Sequence, residues 1–297
     1  MLRAVEIGVV AGAIAAAAFA VSQMAAGQGR AEGLAGNPGP FALACCILYG
    51  LALLGATRQG GRMQMWAVIA AAAAACAILL SGMRSMWPFL LFAPVVAAML
   101  FARSIRKPMM PLLMLAAAAA LAVGFLAQDM IGKRLDLLVS DYTHVVEEQD
   151  YDNSLGERLR MWDAGIELVG QSPLFGHGPG NVKALLSLTT AEDDATPLAA
   201  SHFHNAFLTT LVSSGILGLA AMIAMMITPL VVAFRRSRDP VAQYGLGMMV
   251  MILASYGLSG LFGIMFGHDI HDALFIVGMI VASHLVMDEA RFGNPAG

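Results

Sequence analysis

The sequence predicts an all-α, polytopic membrane protein, and three observations carry that prediction. Of the 297 residues, 59% are hydrophobic and only 12% are charged, whereas a soluble domain carries about 25% charge. The mean hydropathy is +0.73. Apolar runs of about 18 or more residues recur along the chain, the length that a membrane helix needs. About eight crossings are expected. The net charge of -3 is uninformative in such a chain, where the placement of charge matters more than its sum.

The first run, Val5–Ala25, stands behind Arg3. An alanine-rich run near the start also fits a cleaved signal peptide. Its length, and Glu6 where a basic segment would stand, favour a retained helix. After a Gly/Pro-rich loop, Gln28–Pro40, come the runs Phe41–Ala56, Met65–Ser81, Trp87–Ala102 and Met109–Ala127. They are separated by Thr57–Arg62, by the tight turn Gly82–Ser85, and by Arg103–Pro108. A long polar segment runs from Gln128 to about Ser201. The runs Ala206–Phe234, Val241–Phe266 and Ala273–Met287 complete the set. The expected division is therefore a five-helix membrane bundle over 1–127, a long partly helical loop over 128–204, and a three-helix bundle with a short tail over 205–297. Cys45, Cys46 and Cys76 lie inside apolar runs and read as small buried hydrophobes. No CxxC pair, P-loop or dinucleotide fingerprint occurs, and no cofactor, metal or nucleic-acid partner is expected.

Basic residues orient the chain. Arg58 and Arg62, then Arg103, Arg106 and Lys107, then Arg235, Arg236 and Arg238 mark alternate short turns as cytoplasmic. Both termini then face the cytoplasm. The long loop and the Arg84 turn face the opposite side, the periplasm of a Gram-negative cell, with the protein multi-pass in the inner membrane.

Within the loop, Asn153-Ser154 offers a helix cap, and Ser154 with Glu157 has the form of a capping box. Leu155, Leu159, Trp162, Ile166 and Val169 follow at spacings of three and four. They predict an amphipathic helix over about 154–169, suited to a membrane surface or to packing on the bundle. Gly170 and Pro173 stop it. Arg158 and Arg160 sit in its first turns. Gly176 and Gly178 then lie in Pro173–Asn181, a glycine-rich turn that either presents N–H groups to an anion or is a plain turn.

The polar side chains suited to chemistry cluster on the loop side. Thr196-Pro197 precede Ser201-His202-Phe203-His204-Asn205, which opens a long apolar run. Imidazole and carboxamide are costly to desolvate at a membrane edge, and histidine exchanges protons near neutral pH. Arg84 and Arg158 suit phosphate, because guanidinium donates two parallel hydrogen bonds. Each also has a plain reading, as an interface anchor and as a solvated helix face. His268, His271 and Asp272 have i, i+3, i+4 spacing, more in keeping with capping and pocket lining than with a metal. The acidic run Glu147, Glu148, Asp150 and Asp152 reads as a solvated loop.

Three local patterns then fall in order. Ser81-Gly82-Met83-Arg84-Ser85 resembles the Ser-Arg turn of the O-antigen ligase and polymerase family. Arg158-x-x-x-Trp162, running on to Pro173-Leu174-x-Gly176-x-Gly178, resembles its R-x-x-x-W…P-L-x-G-x-G signature. His204-Asn205, nine residues and then Gly215-x-x-Gly218 resembles its H-[NSQ]-x9-G-x-x-[GTY] motif. The resemblance implies a GT-C-like fold and a metal-independent transferase. Such an enzyme moves a glycan from undecaprenyl pyrophosphate to an acceptor hydroxyl, lipid A-core for a ligase. It implies that Arg84 and Arg158 grip the pyrophosphate and that His204 activates the acceptor or orients the donor. Asn205, Arg160, His202, Gly176, Gly178, His268 and His271 would line the substrate site. A polysaccharide polymerase, which uses another lipid-linked repeat as acceptor, and a protein O-oligosaccharyltransferase share this apparatus. The family usually has about twelve helices, so a short or truncated, inactive member is a further alternative. The near absence of charge inside the runs argues against a transporter.

Overall fold

In a computed structural model, the structure describes residues 1–58, 61–101, 128–148, 151, 153–191, 201–237 and 239–287. The described residues are helical with connecting turns, and no strand occurs among them. They form two compact units. One comprises Met1–Phe125, Ile227–Leu258 and Gly267–Gly297; the other comprises Leu126–Met226 and Ser259–Phe266.

The first unit holds α1 (Leu2–Ala25), α2 (Pro38–Arg58), α3 (Arg62–Leu80) and α4 (Pro88–Phe101). It also holds most of α9 (Pro240–Phe262) and α10 (Asp269–Met287). α2 is its centre, with Leu43, Cys45, Cys46, Leu53 and Leu54 all fully or almost fully buried. Small residues permit this packing. A Cβ at Gly50 would lie 2.9 Å from Met251, one at Gly247 3.0 Å from Leu54, and one at Gly245 2.8 Å from the Ala282 carbonyl oxygen. The outer face of α1 (Ile7, Ile14, Phe19, Val21) is exposed hydrocarbon, as a lipid-facing helix requires. The cysteines are free.

The long loop is more helical than its sequence suggests. It forms α5 (Gln128–Thr143), continued by a π-turn over His144–Glu148, then α6 (Ser154–Gln171) and α7 (Val182–Ala191). α6 is the expected amphipathic helix, with two corrections. The cap is Asn153 and not Ser154: its extended backbone (φ -144°, ψ 169°) lets Oδ1 accept from Leu155 N and Gly156 N. The buried face is rolled by about one residue, or roughly 100°. Met161 and Leu168 are in the core while Ile166 is 64% exposed. The reason is Gly165, where a Cβ would fall 2.7 Å from Leu208 and 3.0 Å from Phe203; only a bare backbone lets these side chains reach the helix. Met161, Leu168, Val182, Leu186, Phe203 and Val212 form this unit's core.

The sixth apolar run forms α8 (Ala206–Arg236), but it is not one straight helix. Gly215 has φ 64° and ψ -166° and divides it. Thr210 Oγ1 lies 3.5 Å from Met222 Sδ, whereas residues twelve apart in a straight helix are separated by roughly 18 Å. The two segments therefore fold sharply against each other, and a side chain at Gly218 would collide with Ser214. The histidine motif opens a short helix of Ala206–Ser214, and the span-length segment starts only at Ile216.

Among the described residues, α1, α2, α3, α8, α9 and α10 are long and apolar enough to cross a membrane, and α4 is a shorter apolar helix. The expected run Met109–Ala127, the basic turn Arg103–Pro108, Arg238, Asp150, Asp152 and Thr196-Pro197 lie outside the described residues.

Candidate active site

The second unit builds a site around His202 and His204. Phe203 between them is the anchor. Its ring is fully buried in the core, its carbonyl accepts from Trp162 Nε1 at 2.9 Å, and its N–H donates to Thr209 Oγ1 at 3.3 Å. Asn205 is the cap of the following helix: its Oδ1 accepts from Phe207 N (3.0 Å) and Leu208 N (3.1 Å). Held from both sides, His204 adopts φ 49° and is the one non-glycine residue with positive φ among those described. That region costs an L-residue about 1–2 kcal/mol, and such backbone strain concentrates at functional sites. The result is that the two imidazoles face each other, with ring centroids 4.3 Å apart at 48°. Ser201 Oγ lies 3.1 Å from His202 Nδ1.

The Arg-x-x-x-Trp spacing now has a physical reason. Residues four apart share one face of a helix, so Arg158 and Trp162 project from α6 together. Trp162 fastens the histidine segment, and Arg158 stands close enough for its charge to act on both rings. His204 is pushed down to about 4, by desolvation first, then by His202 and Arg158. His202 is lowered by desolvation and then by Arg158. Both rings are therefore neutral at neutral pH and able to accept a proton. A cation beside two neutral bases is an arrangement for binding an anion and receiving a proton next to it.

The glycine signature does a different job. The segment Pro173–Gly178 crosses the Gly215 break backbone against backbone. His177 N donates to Val212 O and Gly178 N to Ser213 O, both at 2.8 Å; Ile216 N donates to Pro173 O at 2.9 Å and Leu217 N to Leu174 O at 3.3 Å. A Cβ at Gly176 (φ 69°) would lie 2.5 Å from Ser214 N, and one at Gly215 would run into the Leu174 carbonyl. The N–H groups of Gly176, His177 and Gly178 all donate to carbonyls of the chain, which leaves no nest for an anion. Gly176 and Gly178 allow the crossing. His177 Nε2 adds a contact of 2.7 Å to Leu168 O.

Arg160 is half-buried on the same helix as Arg158. Arg84, His268 and His271 belong to the other unit. Arg84 begins the 3-10 turn Arg84–Met86 and donates its N–H to Gly82 O at 3.1 Å. The stem of Arg30, which the sequence does not single out, passes 3.3 Å from where a Gly82 Cβ would be. His268 and His271 face each other at 5.3 Å between ring centroids. Tyr256 Oη donates to the His271 carbonyl, and Asp272 Oδ1 accepts from Gly267 N at 3.1 Å, which ties the first turn of α10 to Tyr256 and to Gly267. Among the described residues no group of three or more His, Cys, Asp and Glu is placed to hold a metal. Sequence reasoning missed the structural roles of Phe203 and Trp162. The spacing of Trp162, one helical turn behind Arg158, was the signal for the second.

A stretch of 102 residues is 28% identical to an uncharacterized protein of Haemophilus influenzae, covering 34% of this chain and 26% of that relative. The chain thus spans about a quarter of the length of the relative it matches. A family model described as O-antigen ligase matches residues 66–223, just over half of the chain. That stretch includes the Arg84 turn, the Arg158–Trp162 pair, the glycine crossing and the two histidines, and the chain belongs to the O-antigen ligase family.

Proposed function

We propose that the chain is a membrane glycosyltransferase of the ligase type. It moves a glycan from undecaprenyl pyrophosphate to a hydroxyl of lipid A-core at the periplasmic face of the inner membrane. The observation that supports this most is the neutral His204 imidazole, locked at positive φ beside its partner ring and under the field of Arg158. In the proposed step the acceptor oxygen attacks the anomeric carbon and its proton passes to His204. The bond from that carbon to the pyrophosphate oxygen breaks, and undecaprenyl pyrophosphate leaves with the electron pair. Arg158 stabilises the charge that develops on the leaving oxygens. The incoming anion also raises the basicity of His204 by offsetting the positive charge of Arg158. His202 supports His204 through the ring contact. Arg160 is proposed as an additional donor on the same helix. For Arg84 the proposal as a pyrophosphate ligand rests on the family's turn alone. No metal is required in this scheme, since arginines carry the charge stabilisation.

The test is transfer by the purified chain in lipid vesicles supplied with undecaprenyl-pyrophosphate-linked glycan. One arm contains lipid A-core and the other only more lipid-linked glycan. Product on lipid A-core is the expected result. Longer lipid-linked chains without transfer to core would replace the ligase by a polymerase. Absence of product in both arms from the folded protein would overturn the proposal.

A further inference from the structure

We infer that the crossing of Pro173–Gly178 with the Gly215 break is a membrane-seating element, whose tip side chains, Leu174 and Phe175, reach into the hydrocarbon of the bilayer. Two independent observations lead there. The first is the side chains. Leu174 and Phe175 are 55% and 73% exposed, and Ile216 and Leu217, whose N–H groups bond to the Pro173 and Leu174 carbonyls, are 52% and 53% exposed. This surface is continuous with the span-length segment that begins at Ile216, whose Ile223 and Met225 are also exposed. Among the described residues, four exposed apolar side chains thus stand at the mouth of a membrane span, where lipid is the solvent that favours them.

The second observation is the backbone. The first N–H groups of a helix and the last carbonyls have no partner within it and are left to capping side chains, to water or to other parts of the chain. Here Ile216 N and Leu217 N, at the start of the span, are bonded to Pro173 O and Leu174 O. Val212 O and Ser213 O, at the end of the short helix, are bonded to His177 N and Gly178 N. A break in a helix is tolerated in hydrocarbon only when its peptide groups are satisfied by protein. Those four peptide groups at the break meet that condition. The short helix that follows His204-Asn205 is nine residues, or roughly 13 Å. The seat therefore fixes the histidine pair within that distance of the lipid surface, whatever reaction it performs.

The test places a spin label at Phe175→Cys in a chain whose Cys45, Cys46 and Cys76 are alanine, reconstituted in vesicles of phosphatidylethanolamine and phosphatidylglycerol. Gly180→Cys, exposed in the same segment with nothing near its Cβ position, serves as the polar reference. The ratio of collision with oxygen to collision with a water-soluble nickel chelate should be several-fold higher at 175 than at 180. Equal ratios would place the tip in water and overturn the inference. Low access to both reagents would show that protein, such as a second copy of the chain, covers the tip, and would equally overturn it. Should the cysteine-free background not fold, Phe175→Trp in the native chain answers the same question. Its added fluorescence should be quenched by brominated lipid and not by aqueous iodide, and the reverse pattern refutes the seat.

Discussion

Alanine at Gly215 tests the crossing on which the two motif segments depend. Holding alanine near φ 64° and ψ -166°, a region essentially restricted to glycine, costs about 1–3 kcal/mol. Its Cβ would also sit 2.5 Å from Phe175 N and against the Leu174 carbonyl. Ordinary contact is about 3.5–4.0 Å, so the segments must separate by roughly 1 Å. Both neighbours are backbone and cannot turn aside as a side chain would. A separation of that size breaks the four bonds that join the segments, each worth about 1 kcal/mol net. The sum is about 5 kcal/mol, comparable with the whole stability of a marginal domain. Gly176→Ala, which meets Ser213 and Ser214 backbone at 2.5–2.6 Å, should behave alike. Gly180→Ala meets nothing within 4 Å and should be neutral. The assay is thermal unfolding in lipid nanodiscs, with limited proteolysis of the second unit as a parallel readout. A Gly215→Ala chain that melts with the wild type and resists protease equally would refute the reasoning.

Other expectations concern the site. Arg158→Lys keeps the charge and loses the planar fork, so weaker donor use by about tenfold is expected, for one lost charge-assisted bond. Wild-type kinetics would count against bidentate binding. Acid sensitivity follows from the depressed His204. Above pH 6.5 it is neutral folded and unfolded, and its contribution is at its plateau. Between 6.5 and about 4 only the unfolded chain takes up the proton, so stability falls as pH drops through this window; His204→Gln should flatten that decline. In kinetics, the acid limb of kcat/KM should lie near 4, and that of kcat higher, because bound pyrophosphate raises the basicity of His204. Coincident limbs near 6.5 would show that the ring is not desolvated as described.

The membrane spans were legible because composition and length alone specify them. The helix at Ser154–Gln171 was legible from its period, but not its rotation. Ile166 outranks Gly165 in any hydrophobic count, yet the glycine is what the core contacts. The break at Gly215 lies inside an apolar run that reads as one span, and nothing periodic marks a crossing between segments so far apart in the chain. Asn205 and the glycines of the signature were visible as motif residues. Their work as a cap and as bare backbone appears only when the two segments are seen together. His204 and Arg158 were legible as polar groups at a membrane edge. The Trp162 bond to Phe203, 41 residues away, is what shows how they meet.

His204 is the residue on which the proposed transfer depends most directly. The decisive measurement is the rate of glycan transfer by His204→Ala and by His202→Ala in the same vesicles, with limited proteolysis verifying that the second unit is folded. A positioned general base contributes about 100-fold or more, so His204→Ala should lose at least that much while His202→Ala retains most of the rate. A folded His204→Ala chain that transfers glycan at the wild-type rate would contradict the account.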